Sequence, residues 1–130
     1  MIAQGQGGCI INIASIDAIH PSARGLSAYD ASKGSVLTVT KSLASELGQY
    51  DIRVNVIAPG GILTEGVRAY IGSSSAEAGR AQLKPFMARA ALGRLGNADD
   101  IGRVALFLAS DLAGYMTGSL VVVDGGYLIS

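Results

Sequence analysis

The chain has 130 residues, of which 49% are hydrophobic and 15% charged, and its ten basic and ten acidic side chains balance to a net charge of zero. This length suits one domain, and the low charge content predicts that some apolar surface is covered by a partner. Because there is no basic run or Arg/Lys stripe interleaved with aromatic residues, we expect no nucleic-acid partner.

The sequence gives no sign of membrane insertion or secretion. No apolar run reaches the ~18 residues of a membrane span, and the start "MIAQGQGG" lacks the basic segment and apolar core of a signal peptide. Cys9 is the only cysteine, which excludes an intrachain disulfide and fits a reducing compartment. We therefore expect a cytoplasmic protein with no membrane partner.

Three apolar runs predict β-strands. They are "CIINIA" (9–14), "IRVNVIA" (52–58) and "SLVVVD" (119–124). Each run is nearly continuous, whereas a strand with one solvated face alternates apolar and polar residues. Continuous runs are typical of strands covered on both faces of a parallel sheet.

Between the first two runs, the sequence predicts a long helix from about 28 to 47. Ser27 and Asp30 are placed to form a capping box, and Gly48 is a suitable C-terminal stop. The apolar stripe of this helix recurs at helical spacing, at Val36, Thr40, Leu43 and Leu47.

A more polar stretch, 63–96, is expected to hold short helices, with the run "GSSSAEAG" (72–79) as a mobile loop-like insertion. A second clear helix is predicted from about 98 to 110, with Asn97 as its N-cap and two aspartates in its first turn. Strands that alternate with crossovers of this length predict an α/β fold with a parallel sheet and right-handed connections.

Polar residues collect where ligands bind in such a sheet, at the carboxyl ends of the strands. Ser15 ends the first predicted strand, and the turn "PGGILT" (59–64) ends the second. Tyr29 and Lys33 lie one turn apart at the start of the long helix, on the same side of the sheet. We therefore expect these groups to converge on one cleft.

This combination of residue types is suited to moving a proton during a redox reaction. A tyrosine hydroxyl ordinarily has a pKa of about 10, and a neighbouring ammonium and a helix N-terminus both favour its ionised form. A serine hydroxyl beside them can hold a carbonyl oxygen while hydride reaches the carbon.

The ordered set "NIAS", "YDASK", "PGGILT" and "TGSLVVVDGG" resembles the short-chain dehydrogenase/reductase family over essentially the whole chain. The resemblance implies a single partial Rossmann-like domain over 1–130, matching the C-terminal half of a doubly wound parallel sheet. It also implies NAD(P)-dependent oxidation of an alcohol or reduction of a carbonyl in a small-molecule substrate, with Ser15, Tyr29 and Lys33 as catalytic residues.

The resemblance also implies a nicotinamide site for NAD or NADP. Lys33 would bind the nicotinamide ribose beside Tyr29, and the turn after the second strand would contact the nicotinamide. The turn residues that match the family motif are Pro59, Gly60, Ile62 and Thr64. No metal site is expected, because His20 is the only histidine and is interpreted as a loop residue.

The family's glycine-rich turn for the cofactor pyrophosphate has no counterpart here. "GQGG" (5–8) precedes a strand and is interpreted as the end of a helix. The family's catalytic Asn is also unmatched, because Asn12 and Asn55 lie inside strands and are interpreted as structural. We therefore expect weak dinucleotide binding by the truncated chain alone, and a homo-oligomer or a complex with a complementary N-terminal half.

The first predicted strand is expected to lie exposed along one edge. In the family's sheet order it pairs on its far side with a strand of the N-terminal half. We expect the backbone groups of Ile10, Ile11 and Ile13 to lack partners on that side. The long helix of the family commonly packs against its twin, and Ala31, Ser35 and Ala44 are small enough for such an approach.

Two other functions stay open at this point. One is a catalytically silent relative that acts as an assembly or interaction module. The other is a Ser/Lys hydrolase that uses Ser15 and Lys33, although the sequence has neither a G-x-S-x-G nor an S-x-x-K motif. We also expect Arg94 to pair with Asp99, and Tyr115 and Met116 to act in packing.

Overall fold

Helices and parallel strands alternate along the chain in the computed structural model, which describes residues 1–72 and 76–130. The expected α/β fold with a three-stranded parallel sheet is confirmed. The helices expected within 63–96 are present, as two helices in the described part of the chain. The elements are β1 (Gly8–Ile13), α1 (Ser27–Leu47), β2 (Ile52–Pro59), α2 (Glu65–Gly72), α3 (Ala76–Arg89), α4 (Ala98–Ala109) and β3 (Leu120–Val123).

The sheet has the strand order β1-β2-β3, so β2 lies in the centre. Ile13 at the end of β1 is level with Ile57 of β2, and Val56 is level with Leu120 of β3. Since the strands are parallel and in this register, β1 and β2 end close together at one edge of the sheet. The central strand β2 is covered on both faces, and its residues 54–58 are all buried.

The two main helices cover opposite faces of the sheet. On one face, α1 places Ala44 against Ile52 and Val54 in a core cluster. On the other, α4 and the turn after it place Leu108 and Ala113 against Ile57. This three-layer arrangement explains why the strand runs are continuous rather than alternating in hydrophobicity.

Strand β1 has a partner on one side only among the described residues. Gly8 and Ala14 donate backbone N–H groups to Asp51 and Ile57 on the β2 side. Since successive residues of a strand face alternate sides, the backbone groups of Cys9, Ile11 and Ile13 face the open edge. The expectation that Ile10 faces that edge was wrong, because Ile10 follows the alternation of Gly8 and faces β2.

The predicted capping box of α1 does not form. The helix begins at Ser27 itself, its N-cap is Leu26 without a side-chain hydrogen bond, and the Asp30 N–H bonds to the Leu26 carbonyl. At the other end, Gly48 keeps a right-handed conformation and continues into a short helical turn. The left-handed residue that ends this segment is Asp51, with a φ of 57°.

Helix α4 begins as predicted. Asn97 is its N-cap and accepts a hydrogen bond from the Asp100 N–H, while the Asp100 side chain accepts one from the Asn97 N–H. The expected pairing of Arg94 with Asp99 was wrong. Arg94 pairs with Asp100 at 2.9 Å, because that carboxylate is turned back toward the N-cap.

The expectation of a loop-like insertion at 72–79 can be compared with the structure only in part. Residues 73–75 lie outside the described part of the chain, and 76–79 were expected as loop but belong to α3. The segment "GQGG" does end a helical turn, at Ile2–Gln4, where Gly5 adopts a left-handed conformation. Within the described ranges, no helix combines the length and the hydropathy needed to cross a membrane.

Candidate active site

The residues predicted to form the site all line one cavity of about 700 Å³ at the carboxyl ends of β1 and β2. Ser15, Tyr29 and Lys33 lie on its polar side. The residues predicted to contact nicotinamide, which are Pro59, Gly60, Ile62 and Thr64, line the same cavity. The strand register brings the two strand ends together, and the start of α1 lies beside them.

Ser15 occupies the first buried turn after β1. It is 7% exposed and is the N-cap of a short helical turn, Ile16–Ala18, whose Asp17 N–H donates to Ser15 Oγ at 3.2 Å. The Ser15 hydroxyl donates to Asp17 Oδ2 at 2.9 Å, and the Ser22 N–H donates to Asp17 Oδ1 at 2.9 Å. Asp17 also lines the cavity and was not predicted as a site residue.

Tyr29 and Lys33 occupy the same face of α1. The Lys33 Nζ atom lies 5.7 Å from the centroid of the Tyr29 ring and donates to the Ile13 carbonyl at 3.3 Å. That carbonyl is available because Ile13 faces the open side of β1. The contact holds the ammonium at the mouth of the cavity, where Tyr29 is 43% exposed.

The turn after β2 is shaped by close backbone packing. A Cβ on Gly60 would lie 2.7 Å from Asp124 Cα, and a Cβ on Gly61 would overlap the Phe86 ring. A side chain at Gly60 would meet backbone and one at Gly61 would push the Phe86 ring aside, so the two glycines let the turn pass close to the end of β3 and to α3. Leu63 and Gly61 then bond to Gly96 through a short parallel bridge.

Because Gly61 and Leu63 direct their bonded backbone groups at Gly96, the backbone N–H and C=O of Ile62 point to the opposite side of this extended segment. Next along the chain, Thr64 caps the start of α2, because its hydroxyl oxygen accepts from the Val67 N–H at 3.2 Å. This bond uses a lone pair of the Thr64 oxygen and not its proton, and among the described residues no acceptor takes that proton.

Much of the remaining lining of the cavity is apolar. Phe86 of α3 is part of it, and its ring stacks on Tyr127 at a centroid separation of 4.2 Å. Tyr127 is 5% exposed and follows Asp124, whose carboxylate accepts the N–H groups of Gly126 and Leu128. The sequence did not reveal these apolar lining residues, which are Val67, Leu83, Phe86, Leu95 and Ile101.

Several other polar or aromatic residues lie outside the cavity. Asn55 is fully buried and ties β2 to the segment before β3 through Met116 and Ser119, so its role is structural as expected. His20 is exposed. The packing role expected for Tyr115 was wrong, since it is fully exposed, whereas Met116 packs against the α4 core cluster.

The cavity fits the nicotinamide and ribose end of a dinucleotide. Its lining includes the Lys33 ammonium, the Thr64 hydroxyl and a turn whose glycines give a ligand access to main-chain groups. Among the described residues, the glycine-rich segment at 5–8 leads into β1 rather than out of it, so its N–H groups do not begin a helix beneath a phosphate.

Comparison with known proteins identifies the family. Residues 1–128 match the family model described as enoyl-(acyl carrier protein) reductase. The chain belongs to the short-chain dehydrogenase/reductase family. It is 44% identical over 119 residues to a 3alpha-hydroxysteroid dehydrogenase of Mediterraneibacter gnavus, covering 92% of this chain and 44% of that one.

Other members of the short-chain dehydrogenase/reductase family also match almost the whole of this chain over about half of their own length. A 3-oxoacyl-[acyl-carrier-protein] reductase of Chlamydia pneumoniae is 44% identical over 121 residues, which are 93% of this chain and 45% of that one. A short-chain dehydrogenase/reductase structure from Burkholderia xenovorans has a TM-score of 0.91 at 34% identity, covering 100% of this chain and 48% of that one.

A structure from Agrobacterium tumefaciens, provisionally assigned as a 2-deoxy-D-gluconate 3-dehydrogenase, contains bound NADP. Its TM-score is 0.86 at 38% identity, covering 99% of this chain and 50% of that one. The chain thus spans about half the length of the short-chain dehydrogenase/reductase relatives that it matches.

Proposed function

We propose that this chain forms the catalytic part of an NAD(P)-dependent oxidoreductase that interconverts an alcohol and a carbonyl in a small molecule. The observation that carries the proposal is that Ser15, Tyr29 and Lys33 line one cavity together with the glycine turn after β2. The hydroxysteroid dehydrogenase and oxoacyl reductase among the relatives support this class of reaction.

Each polar residue has a role that follows from its position. The nicotinamide, when bound, supplies or accepts the hydride. Tyr29 gives its hydroxyl proton to the substrate oxygen during reduction and takes it back during oxidation. Lys33 Nζ lies 5.7 Å from the centroid of the Tyr29 ring, so its positive charge is near the proton donor, and it is placed for the ribose hydroxyls. Ser15 holds the substrate oxygen beside Tyr29.

The cofactor is held on the nicotinamide side by Tyr29, Lys33 and the turn residues Pro59, Gly60, Ile62 and Thr64. The proposed enzyme also needs a pyrophosphate site, which in the family precedes these elements. We therefore propose that residues 1–130 act with a complementary N-terminal half and that alone they bind NADH or NADPH weakly. From the edge of β1 that has no partner among the described residues, we also propose that the chain can associate as a homo-oligomer. We propose a cytoplasmic location.

The first test is the substitution Tyr29→Phe, measured as carbonyl reduction with NADH or NADPH in protein that includes the complementary half. We expect turnover to fall by at least about 10²-fold, since the proton donor is removed. Cofactor affinity should change little, because Lys33, the turn residues and the phenyl ring that replaces Tyr29 still contact the nicotinamide side. Lys33→Ala should reduce both turnover and cofactor affinity. Wild-type turnover in Tyr29→Phe would contradict the proposed chemistry.

The alternative of a silent assembly module is supported by the open edge of β1. Calorimetric titration with NADH and NADPH separates the two proposals when it is done with and without the complementary half. An oxidoreductase gains cofactor affinity when that half is added. A protein that assembles with it and still binds neither dinucleotide is the interaction module.

A further inference from the structure

Asp17 lies beside the candidate catalytic serine and lines the same cavity. Its Oδ2 is 2.9 Å from Ser15 Oγ, and its own N–H is 3.2 Å from the same oxygen. The other carboxylate oxygen accepts the Ser22 N–H at 2.9 Å. The carboxylate is therefore fixed by one loop contact while it holds the serine.

The hydrogen-bonding capacity of a serine hydroxyl shows what this arrangement does. Ser15 Oγ has one proton to donate and two lone pairs to accept with. An ionised carboxylate only accepts, so the bond to Asp17 uses the single proton of Ser15. One lone pair of Ser15 Oγ accepts the Asp17 N–H. The second lone pair is the only hydrogen-bonding capacity that Ser15 Oγ still offers to a ligand in the cavity.

A carbonyl oxygen also only accepts hydrogen bonds. In this arrangement Ser15 Oγ presents a lone pair to a carbonyl substrate. The Ser15 oxygen and the carbonyl oxygen are then both acceptors, so no hydrogen bond forms between them. Ser15 can hold the carbonyl only after its proton turns from Asp17 to the cavity. The bond that must be given up is to a charged group, which is stronger than one between neutral groups.

We propose that Asp17 is a positioning residue that holds the Ser15 proton away from the cleft, so that a carbonyl ligand competes with Asp17 for it. The inference deepens the proposed function and rests on Ser15 acting on the substrate oxygen. It predicts that wild-type protein binds a carbonyl less tightly than a variant whose Ser15 proton is free.

The substitution Asp17→Asn tests this with little change of shape. The new amide oxygen still accepts the Ser22 N–H, and the new NH₂ group donates to Ser15 Oγ, which releases the Ser15 proton into the cavity. The probe is acetophenone labelled with ¹³C at its carbonyl. Its stretching frequency falls when a hydrogen bond reaches the oxygen, and this reading needs no cofactor or turnover.

We expect acetophenone to bind about tenfold more tightly to Asp17→Asn than to wild type, with a lower carbonyl frequency. In the Ser15→Ala background the same substitution should change neither quantity, because no serine proton remains to be released. Asp111→Asn is the matched control, since it removes the same charge from an exposed residue outside the cavity.

Three outcomes would overturn the inference. Asp17→Asn could leave affinity and frequency unchanged, it could act equally in the Ser15→Ala background, or acetophenone could fail to bind both proteins. Failure of the proposed function looks different. In that case the spectroscopic shift depends on Asp17 as expected, yet no form of the protein reduces a carbonyl with NADH or NADPH.

Discussion

Lys33 links the sheet edge to the candidate chemistry. Its ammonium lies near the Tyr29 ring and bonds to the Ile13 carbonyl, which faces the side of β1 that has no strand partner among the described residues. A lysine without such an anchor would sample many rotamers at an exposed position, and its charge would be spread over a larger volume. The backbone bond restricts the ammonium to a position beside the cavity, close to the Tyr29 ring.

At the same scale, Gly61 controls the shape of the apolar wall. We predict that Gly61→Ala displaces Phe86, because the new methyl group would overlap its ring, and destabilises the protein by about 1–3 kcal/mol. Urea denaturation measures this loss. The matched control is Gly102→Ala on α4, where the new methyl group would meet no packing neighbour within 4 Å.

Gly102→Ala should leave stability unchanged or raise it by up to about 1 kcal/mol, through the better helix propensity of alanine. If Gly61→Ala and Gly102→Ala changed the free energy of unfolding equally, the close packing of Gly61 on Phe86 would not control the apolar lining of the cavity.

At the scale of elements, the start of α4 depends on a reciprocal pair of hydrogen bonds. Asn97→Ala removes the side-chain acceptor of the Asp100 N–H, and we predict a loss of about 1 kcal/mol in the free energy of unfolding. Asp99→Ala is the control, since Asp99 lies in the same turn without forming the cap. An equal loss in the two variants would contradict the assignment of the cap.

The same turn predicts a pH dependence. The hydrogen bond from Arg94, followed by the backbone bond from Asn97, lowers the pKa of Asp100 below the usual 3.8. A carboxyl whose folded pKa is lowered stabilises the fold above the unfolded value, and this contribution is lost as the pH falls through the folded value.

We therefore expect acid unfolding of wild type, followed by circular dichroism, to begin at a lower pH than in Arg94→Gln. The substitution removes the main cause of the lowered pKa, so the contribution of Asp100 is lost at less acidic pH. An unchanged acid transition in Arg94→Gln would show that the ion pair does not affect stability.

At the scale of the whole molecule, apolar and backbone groups are left without partners among the described residues. The open side of β1 presents the backbone of Cys9, Ile11 and Ile13, and unpaired strand edges of this kind promote association. The exposed face of α1 includes the small residues Ala31 and Ser35. Ala44, expected on that face, is 6% exposed and packs in the core instead, so it is not available for a helix partner.

We predict that residues 1–130 are not a free monomer at micromolar concentration, which light scattering can measure. Ile11→Pro removes an N–H on the open side of β1, so it should weaken association while β1 stays paired with β2. Ile10→Pro is the matched contrast, because it removes a donor to β2 and should unfold the strand. A folded wild-type monomer with fast-exchanging amides at Cys9, Ile11 and Ile13 would refute the prediction.

The sequence determined the elements that depend on local pattern. Continuous apolar runs and helical periodicity located the strands and the two main helices to within about two residues. The Asn97 cap followed from residue type alone. The catalytic candidates could also be predicted, because Ser15 and the 59–64 turn follow strands that end at the same edge of a parallel sheet, and Tyr29 and Lys33 lie at the start of the helix beside that edge.

The tertiary structure decided what depends on contacts between distant segments. Phe86 lines the cavity with its ring stacked on Tyr127, which is distant in sequence. Ala44 lies in the core because β2 packs against it. Asp17 is close to Ser15 in sequence, but the direction of the serine proton depends on the loop geometry. Periodicity and spacing record which face a residue occupies, whereas hydrogen-bond direction and ring stacking depend on where other segments are placed.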